Sequence, residues 1–108
     1  MKGEIYHICN KSIVNFGIFK SKSNCQRFMN AIDYYNNIFV WTSLSQAIKR
    51  KKYVYSNLIF PKQDGIIKII SYCLMPDHYH LLFKVQTEYP ISKYISDMEN
   101  SYTRYFNV

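Results

Sequence analysis

Three adjacent residues, His78-Tyr79-His80, carry the most concentrated chemistry in this chain. In an extended strand successive side chains alternate, so His78 and His80 share a face while Tyr79 points the other way. A neutral imidazole offers one ring nitrogen as a ligand, and two such rings side by side make a two-point clamp for a divalent cation. The chain has 3 histidines, and two of them sit in this triplet. An isolated His-x-His also describes two half-exposed strand residues with no ligand, so the motif alone leaves both readings open. Leu82 and Lys84 continue the histidine face. Tyr79, Leu81, Phe83 and Val85 form an apolar face that requires a core beneath it.

The elements that must position this triplet follow from periodicity and breakers. Ile66 to Met75 is a β-rich run, Pro76-Asp77 breaks it, and His78 to Val85 alternates again, which predicts an antiparallel pair. Glu4 to Asn10 reads as a further strand, with Ile5, His7 and Cys9 on one face and Tyr6 and Ile8 on the other. Ser23 or Asn24 is the expected N-cap of a helix carrying Phe28, Ala31, Ile32 and Tyr35, ended by Asn36-Asn37. A short helix is expected through Leu44, Ala47 and Ile48. The segment from Tyr53 to Phe60 fits helix or strand equally, and residues 61–65 read as a turn. Pro90 suits the first turn of a last helix with Ile91, Tyr94, Ile95, Met98, Tyr102, Tyr105 and Phe106 along one stripe. The order β-α(-α)-β-β-α predicts an α+β fold: a small antiparallel sheet with helices packed on one face and the other face free for a ligand.

At 108 residues and 13.0 kDa the chain suffices for one compact domain. A hydrophobic content of 48% excludes a disordered tail. Lys and Arg number 14 against 7 Asp and Glu, giving +7. Residues 1–62 hold ten basic and two acidic side chains, whereas residues 63–108 hold four and five. That segregation points to a polyanionic partner. Lys49-Arg50-Lys51-Lys52 is the strongest cluster, with Lys11, Lys20, Lys22 and Arg27 as an earlier set, although a solvated helix end explains Lys49 to Lys52 equally well. Cys9, Cys25 and Cys73 fit no metal spacing and are expected to be reduced, partly buried thiols. Lys68 interrupts the longest apolar run, and Met1-Lys2-Gly3-Glu4 leads into no signal-peptide core, so a cytoplasmic protein without a membrane span is expected. His7 reads as a satisfied sheet histidine, with metal or phosphate as its alternative partner. Asp77 reads as a turn residue bonded to backbone.

The run Tyr72-Cys73-Leu74-Met75-Pro76-Asp77-His78-Tyr79-His80-Leu81-Leu82 resembles the signature of the REP-associated tyrosine transposases, members of the single-tyrosine HUH endonucleases (His, hydrophobic, His). Glu4 to Lys11 is similar to that family's opening strand. Ile91-Ser92-Lys93-Tyr94 and Ser101-Tyr102-Thr103-Arg104-Tyr105-Phe106-Asn107 are similar to the helix after its histidines. The resemblance runs through nearly the whole chain and is weakest over residues 38–62. It implies a ferredoxin-like or RRM-like HUH core acting on single-stranded or hairpin DNA. His78 and His80 would hold Mg²⁺ or Mn²⁺ against the scissile phosphate. A tyrosine would then attack to leave a 5′-phosphotyrosine link, the strand-transfer step of transposition. A phenol ionises near pH 10, so positive charge must assist it.

Family members continue past the segment matching Tyr105-Phe106-Asn107 into a helix that carries the nucleophile and the remaining metal ligand. The expectation is therefore a single HUH domain over residues 1–108 lacking that segment, with impaired or no catalysis. Tyr102 and Tyr105 are the remaining candidates for a nucleophile, though their spacing with Met98 fits a core stripe. Arg104 matches the helix after the histidines and joins Lys11 and Lys49 to Lys52 as an expected DNA contact. The resemblance also allows a homodimer. The competing classes are a non-catalytic nucleic-acid-binding module and a domain-swapped interaction fragment.

Overall fold

Alternation along His78–Val85 makes this stretch the spine of the sheet. In the computed structural model, which describes residues 2–11, 19–40, 42–51, 53 and 65–106, six elements follow one another. They are β1 (Ile5–Lys11), α1 (Lys22–Tyr35), α2 (Leu44–Lys49), β2 (Ile67–Met75), β3 (His78–Val85) and α3 (Ile91–Phe106). The sheet order is β1-β3-β2, with β3 antiparallel to both neighbours. Pro76-Asp77 forms the tight link that folds β2 back onto β3. The fold is α+β, as the element order predicts.

Tyr79, Leu81, Phe83 and Val85 are all buried, so every second residue of β3 enters the core. Each contributes about 2 kcal/mol of burial, enough to fix which face turns inward. Phe28, Ala31, Ile32 and Tyr35 of α1 cover that face, and Tyr94, Met98 and Tyr102 of α3 complete it. The Phe28 and Tyr79 ring centroids lie 4.8 Å apart, and the Tyr94 hydroxyl donates to the Ile32 carbonyl at 2.9 Å. A buried Asn36 ties α1 to the sheet. Its Oδ1 accepts from the backbone N–H of Ile66 at 2.7 Å and of Ile67 at 2.8 Å, and its Nδ2 donates to Ile67 O at 3.0 Å. A bulge between Ile69 and Ser71 turns Ile70 out to solvent.

Two boundaries differ from the sequence reading. The N-cap of α1 is Ser21, whose side chain accepts from Asn24 N at 3.0 Å, rather than Ser23 or Asn24. Pro90 precedes α3 instead of lying in its first turn, and its carbonyl accepts the N–H of Lys93 and Tyr94. Residues 54–64, over which the sequence leaves helix and strand open and then predicts a turn, lie outside the described residues. Among the described residues no helix is long and apolar enough to cross a membrane.

Candidate functional site

Residues paired across a sheet project from the same side. Cys9 and Cys73 both pair with His80, one from each outer strand. The next row is Lys11, His78 and Met75, and on the other side of His80 lies the row His7, Leu82 and Ser71. Farther along, Lys84 pairs with Lys68. These rows form the face opposite the helices. His7, Cys9, Cys73, Lys68 and Lys84 are exposed there, and His78 and His80 are half-buried. The two rings of β3 therefore stand together on a solvent-facing surface, with centroids 5.2 Å apart and planes nearly perpendicular.

Each ring is held from behind. His78 Nδ1 lies 2.8 Å from Asp77 Oδ1. An ionised carboxylate only accepts, so Nδ1 carries the proton, and in the neutral ring Nε2 keeps its lone pair. His80 Nδ1 lies 3.1 Å from His7 Nε2, and those rings stack with centroids 5.2 Å apart and planes within 5°. On the opposite edge, Cys9 Sγ is 3.7 Å from His80 Nε2. A self-consistent assignment has the thiol donating to His80 Nε2 and His80 Nδ1–H donating to His7 Nε2. Both β3 histidines then carry their lone pair on Nε2, each with a partner on Nδ1. Among the described residues no group of three or more His, Cys, Asp or Glu side chains is arranged to hold a metal ion. What the face presents is two imidazole Nε2 lone pairs, that of His80 meeting the Cys9 thiol.

The tyrosines lie elsewhere. Tyr79, buried between the two histidines but directed into the helix layer, donates its hydroxyl to Glu99 of α3, which also accepts from Asn10 Nδ2 at 2.6 Å. Burial, then the Glu99 carboxylate, raises the Tyr79 phenol well above its ordinary range. Burial likewise raises Tyr102, which packs on Phe19 and Phe28. Tyr105 is half-buried and donates to Asn24 Oδ1 at 2.9 Å. Both candidate nucleophiles thus sit on the helix side of the sheet. Tyr6 and Tyr72 belong to the rows of Phe83 and Leu81, which also face away from the imidazoles.

The expected basic contacts divide between the two sides. Lys11 pairs with His78 in register. Lys49 ends α2, Arg50 caps it, and Lys51 follows with a φ of 55°. Lys52 lies outside the described residues. Arg104 is exposed on the last turn of α3. Lys49 and Arg50 therefore go with α2 on the helix layer, and Lys68 and Lys84 lie farther along the imidazole face. The sequence does not single out Lys68, and it gives Asp77 only as a turn residue, whereas His7 is the satisfied sheet histidine expected of it, bonded to His80. Its partner is His80 because β1 lies against β3 with His7 one row from His80, and the ring is exposed. The thiols differ as well: all three are free, but Cys9 and Cys73 are exposed since they share the open face, and only Cys25 is half-buried.

The family model for IS200-like transposases matches residues 33–108, a span that includes the β2–β3 hairpin, both of its histidines and α3. No curated protein and no solved structure matched the chain.

Proposed function

The chain belongs to the IS200-like transposases, and on that premise we propose that its open sheet face binds the backbone of single-stranded DNA through a divalent ion held by His78 and His80. The observation that carries this reading is the pair of half-buried imidazoles whose Nδ1 atoms are both engaged, by Asp77 and by His7, which places both lone pairs on Nε2, that of His80 to be taken by the ion in place of the Cys9 thiol. Such second partners set tautomer and orientation in imidazole–metal sites. The donor set suits Mn²⁺ better than Mg²⁺, since imidazole nitrogen competes poorly with oxygen for magnesium. When bound, the ion supplies a Lewis acid that polarises a phosphoryl oxygen.

The protein's own groups orient what approaches. Asp77 and His7 hold the rings, and Lys68 with Lys84 neutralises neighbouring phosphates farther along the same face. Strand transfer through a phosphotyrosine needs a phenol beside the bound phosphate. Tyr79, Tyr102 and Tyr105 stand on the other side of the sheet, so this arrangement supplies the metal- and phosphate-holding half of the reaction and none of these tyrosines as its nucleophile.

Fluorescence anisotropy of a labelled single-stranded oligonucleotide, with and without Mn²⁺, tests the reading. Affinity should rise with Mn²⁺, and His78→Ala with His80→Ala should remove that rise. On a denaturing gel, hairpin-bearing single-stranded DNA with Mn²⁺ should leave no covalent adduct on residues 1–108. Affinity indifferent to Mn²⁺ and to both substitutions would instead identify a nucleic-acid-binding module without metal chemistry. An adduct lost in Tyr102→Phe or Tyr105→Phe would overturn the placement of the nucleophile.

A further inference from the structure

The imidazole face leaves other basic side chains unexplained, because Arg27, Lys49 and Arg104 belong to the helices on the other side of the sheet and Arg50 caps α2. There α1, α2 and α3 enclose an open cavity of about 550 Å³ lined by Asn24, Arg27, Ser45, Arg104, Tyr105 and Phe106. Two guanidinium groups, two hydroxyls and one amide line it, with no carboxylate among the described lining residues. The Arg27 guanidinium lies 4.7 Å from the centroid of the Tyr105 ring and donates through Nη2 to Ser45 Oγ at 2.8 Å. Its Nε is buried with no hydrogen-bond partner among the described residues. A buried donor left unpaired is destabilising unless a ligand or water satisfies it, and a guanidinium edge is shaped for two oxygens of one anion. Among the described residues neither Arg27 nor Arg104 forms an ion pair.

The other lining groups fit the same ligand. Ser45 Oγ, already accepting from Arg27, keeps its own proton to donate. The Asn24 carbonyl is taken by the Tyr105 hydroxyl, which leaves its amide NH₂ as a further donor. Ser45 lies on α2, whose end carries Lys49 and Arg50, so positive charge continues outward from the cavity. Phe106 and Tyr105 add aromatic surface of the kind on which unpaired bases stack.

We propose that this cavity is a second nucleic-acid subsite, taking a backbone phosphate on the helix layer independently of the ion at His78 and His80. It rests on the reading that the chain binds DNA, but it needs neither the metal nor the imidazoles. The shared ligand chemistry is a phosphate oxyanion, and the nucleic-acid phosphodiester is the source proposed here.

The test uses labelled oligothymidylate in EDTA, so that no divalent ion contributes, with affinity followed against sodium chloride concentration. Arg104→Gln should weaken binding about tenfold at low salt and make the log-affinity against log-salt slope shallower by about one. Arg27→Lys, which keeps the charge but loses the fork, should also weaken it. In a parallel arm, inorganic phosphate should shift the Arg27 Nε–H signal of the ¹⁵N-labelled chain, with sodium chloride of equal ionic strength as control. Because Arg104 is exposed, its variant decides the question should Arg27→Lys unfold. Unchanged affinity and slope in Arg104→Gln overturn the proposal. A saturating phosphate shift without any change in oligothymidylate binding also overturns it, marking a free-phosphate site instead. Loss of EDTA-resistant binding in Arg104→Gln, in a chain whose affinity never responds to Mn²⁺, sinks the metal reading alone and leaves this subsite standing.

Discussion

Asp77→Ala isolates the group that fixes the tautomer of His78. The carboxylate meets Nδ1 at 2.8 Å, with each side chain 26% exposed. A charge-assisted hydrogen bond of this kind contributes about 1.5–3 kcal/mol when well shielded. Solvent at this partly open site reduces it to about 1–1.5 kcal/mol. With the acceptor gone, the ring proton is free to occupy Nε2, the atom that must present a lone pair, and the ring loses its orienting contact. The expected cost is about a tenfold drop in Mn²⁺ affinity, the lower end of what a removed second partner does to a metal site. Asp77→Asn keeps an acceptor oxygen and should recover most of that loss. Mn²⁺ affinity is read from water-proton relaxation, and the tautomer from the ¹⁵N shifts of the His78 ring without metal. Affinity within twofold of the unsubstituted chain, or a ring still protonated at Nδ1 after Asp77→Ala, refutes the reasoning.

Three further outcomes concern the framework. Asn36→Ala should destabilise the fold by about 3 kcal/mol in urea, because it strands the backbone groups of Ile66 and Ile67 that the amide satisfies. Raising pH should leave stability flat up to about pH 10 and then lower it. The folded chain keeps the buried Tyr79 and Tyr94 phenols protonated above their ordinary 10.0, while the unfolded chain ionises them, at about 1.4 kcal/mol per pH unit for each. Ultraviolet difference spectra of folded Tyr79→Phe and Tyr94→Phe should match that of the unsubstituted chain near pH 10, because the other tyrosines supply the signal there, and a smaller folded-state phenolate signal in either variant contradicts the burial. Lys51→Gly should raise thermal stability by about 0.5–1 kcal/mol, since a φ of 55° after α2 suits glycine and strains a side chain; a lower Tm refutes it.

What could be read without coordinates was local. Alternation over His78–Val85 and the Pro76-Asp77 break fix the hairpin, so the shared face of His78 and His80 follows from neighbouring residues alone. The spacing of Phe28, Ala31, Ile32 and Tyr35 gives α1 in the same way. Its start was less legible: Ser21, Ser23 and Asn24 can all cap, and local sequence does not choose among them. The roles of His7 and Cys9 depend on β1 pairing with β3 across more than seventy positions. No local pattern sets that register, although Tyr6 and Ile8 correctly mark the inner face. Asp77 was hidden for another reason: an aspartate in a turn is amply explained by the turn. The basic residues were visible as a cluster, but their side of the sheet depends on how α2 packs against α1.

The same framework explains how a solvent-facing pair of rings can be positioned at all. His80 is central in its row, with a strand on each side, so its backbone is fixed from both flanks. His78 sits next to the turn, where a strand end is freer. Tyr79 joins the two positions from below: its hydroxyl is bound to Glu99 of α3, and Glu99 also holds Asn10 of β1. The carboxylate on the helix layer thereby ties β3 to β1 directly beneath the imidazoles, close to the row in which Cys9 meets His80. A face that must stay open to a ligand cannot be rigidified by packing on its own surface. In this chain the rigidity comes from the opposite side, through the one residue between the histidines that alternation sends inward, and the buried phenol that looks out of place for catalysis is what keeps the outer rings in register.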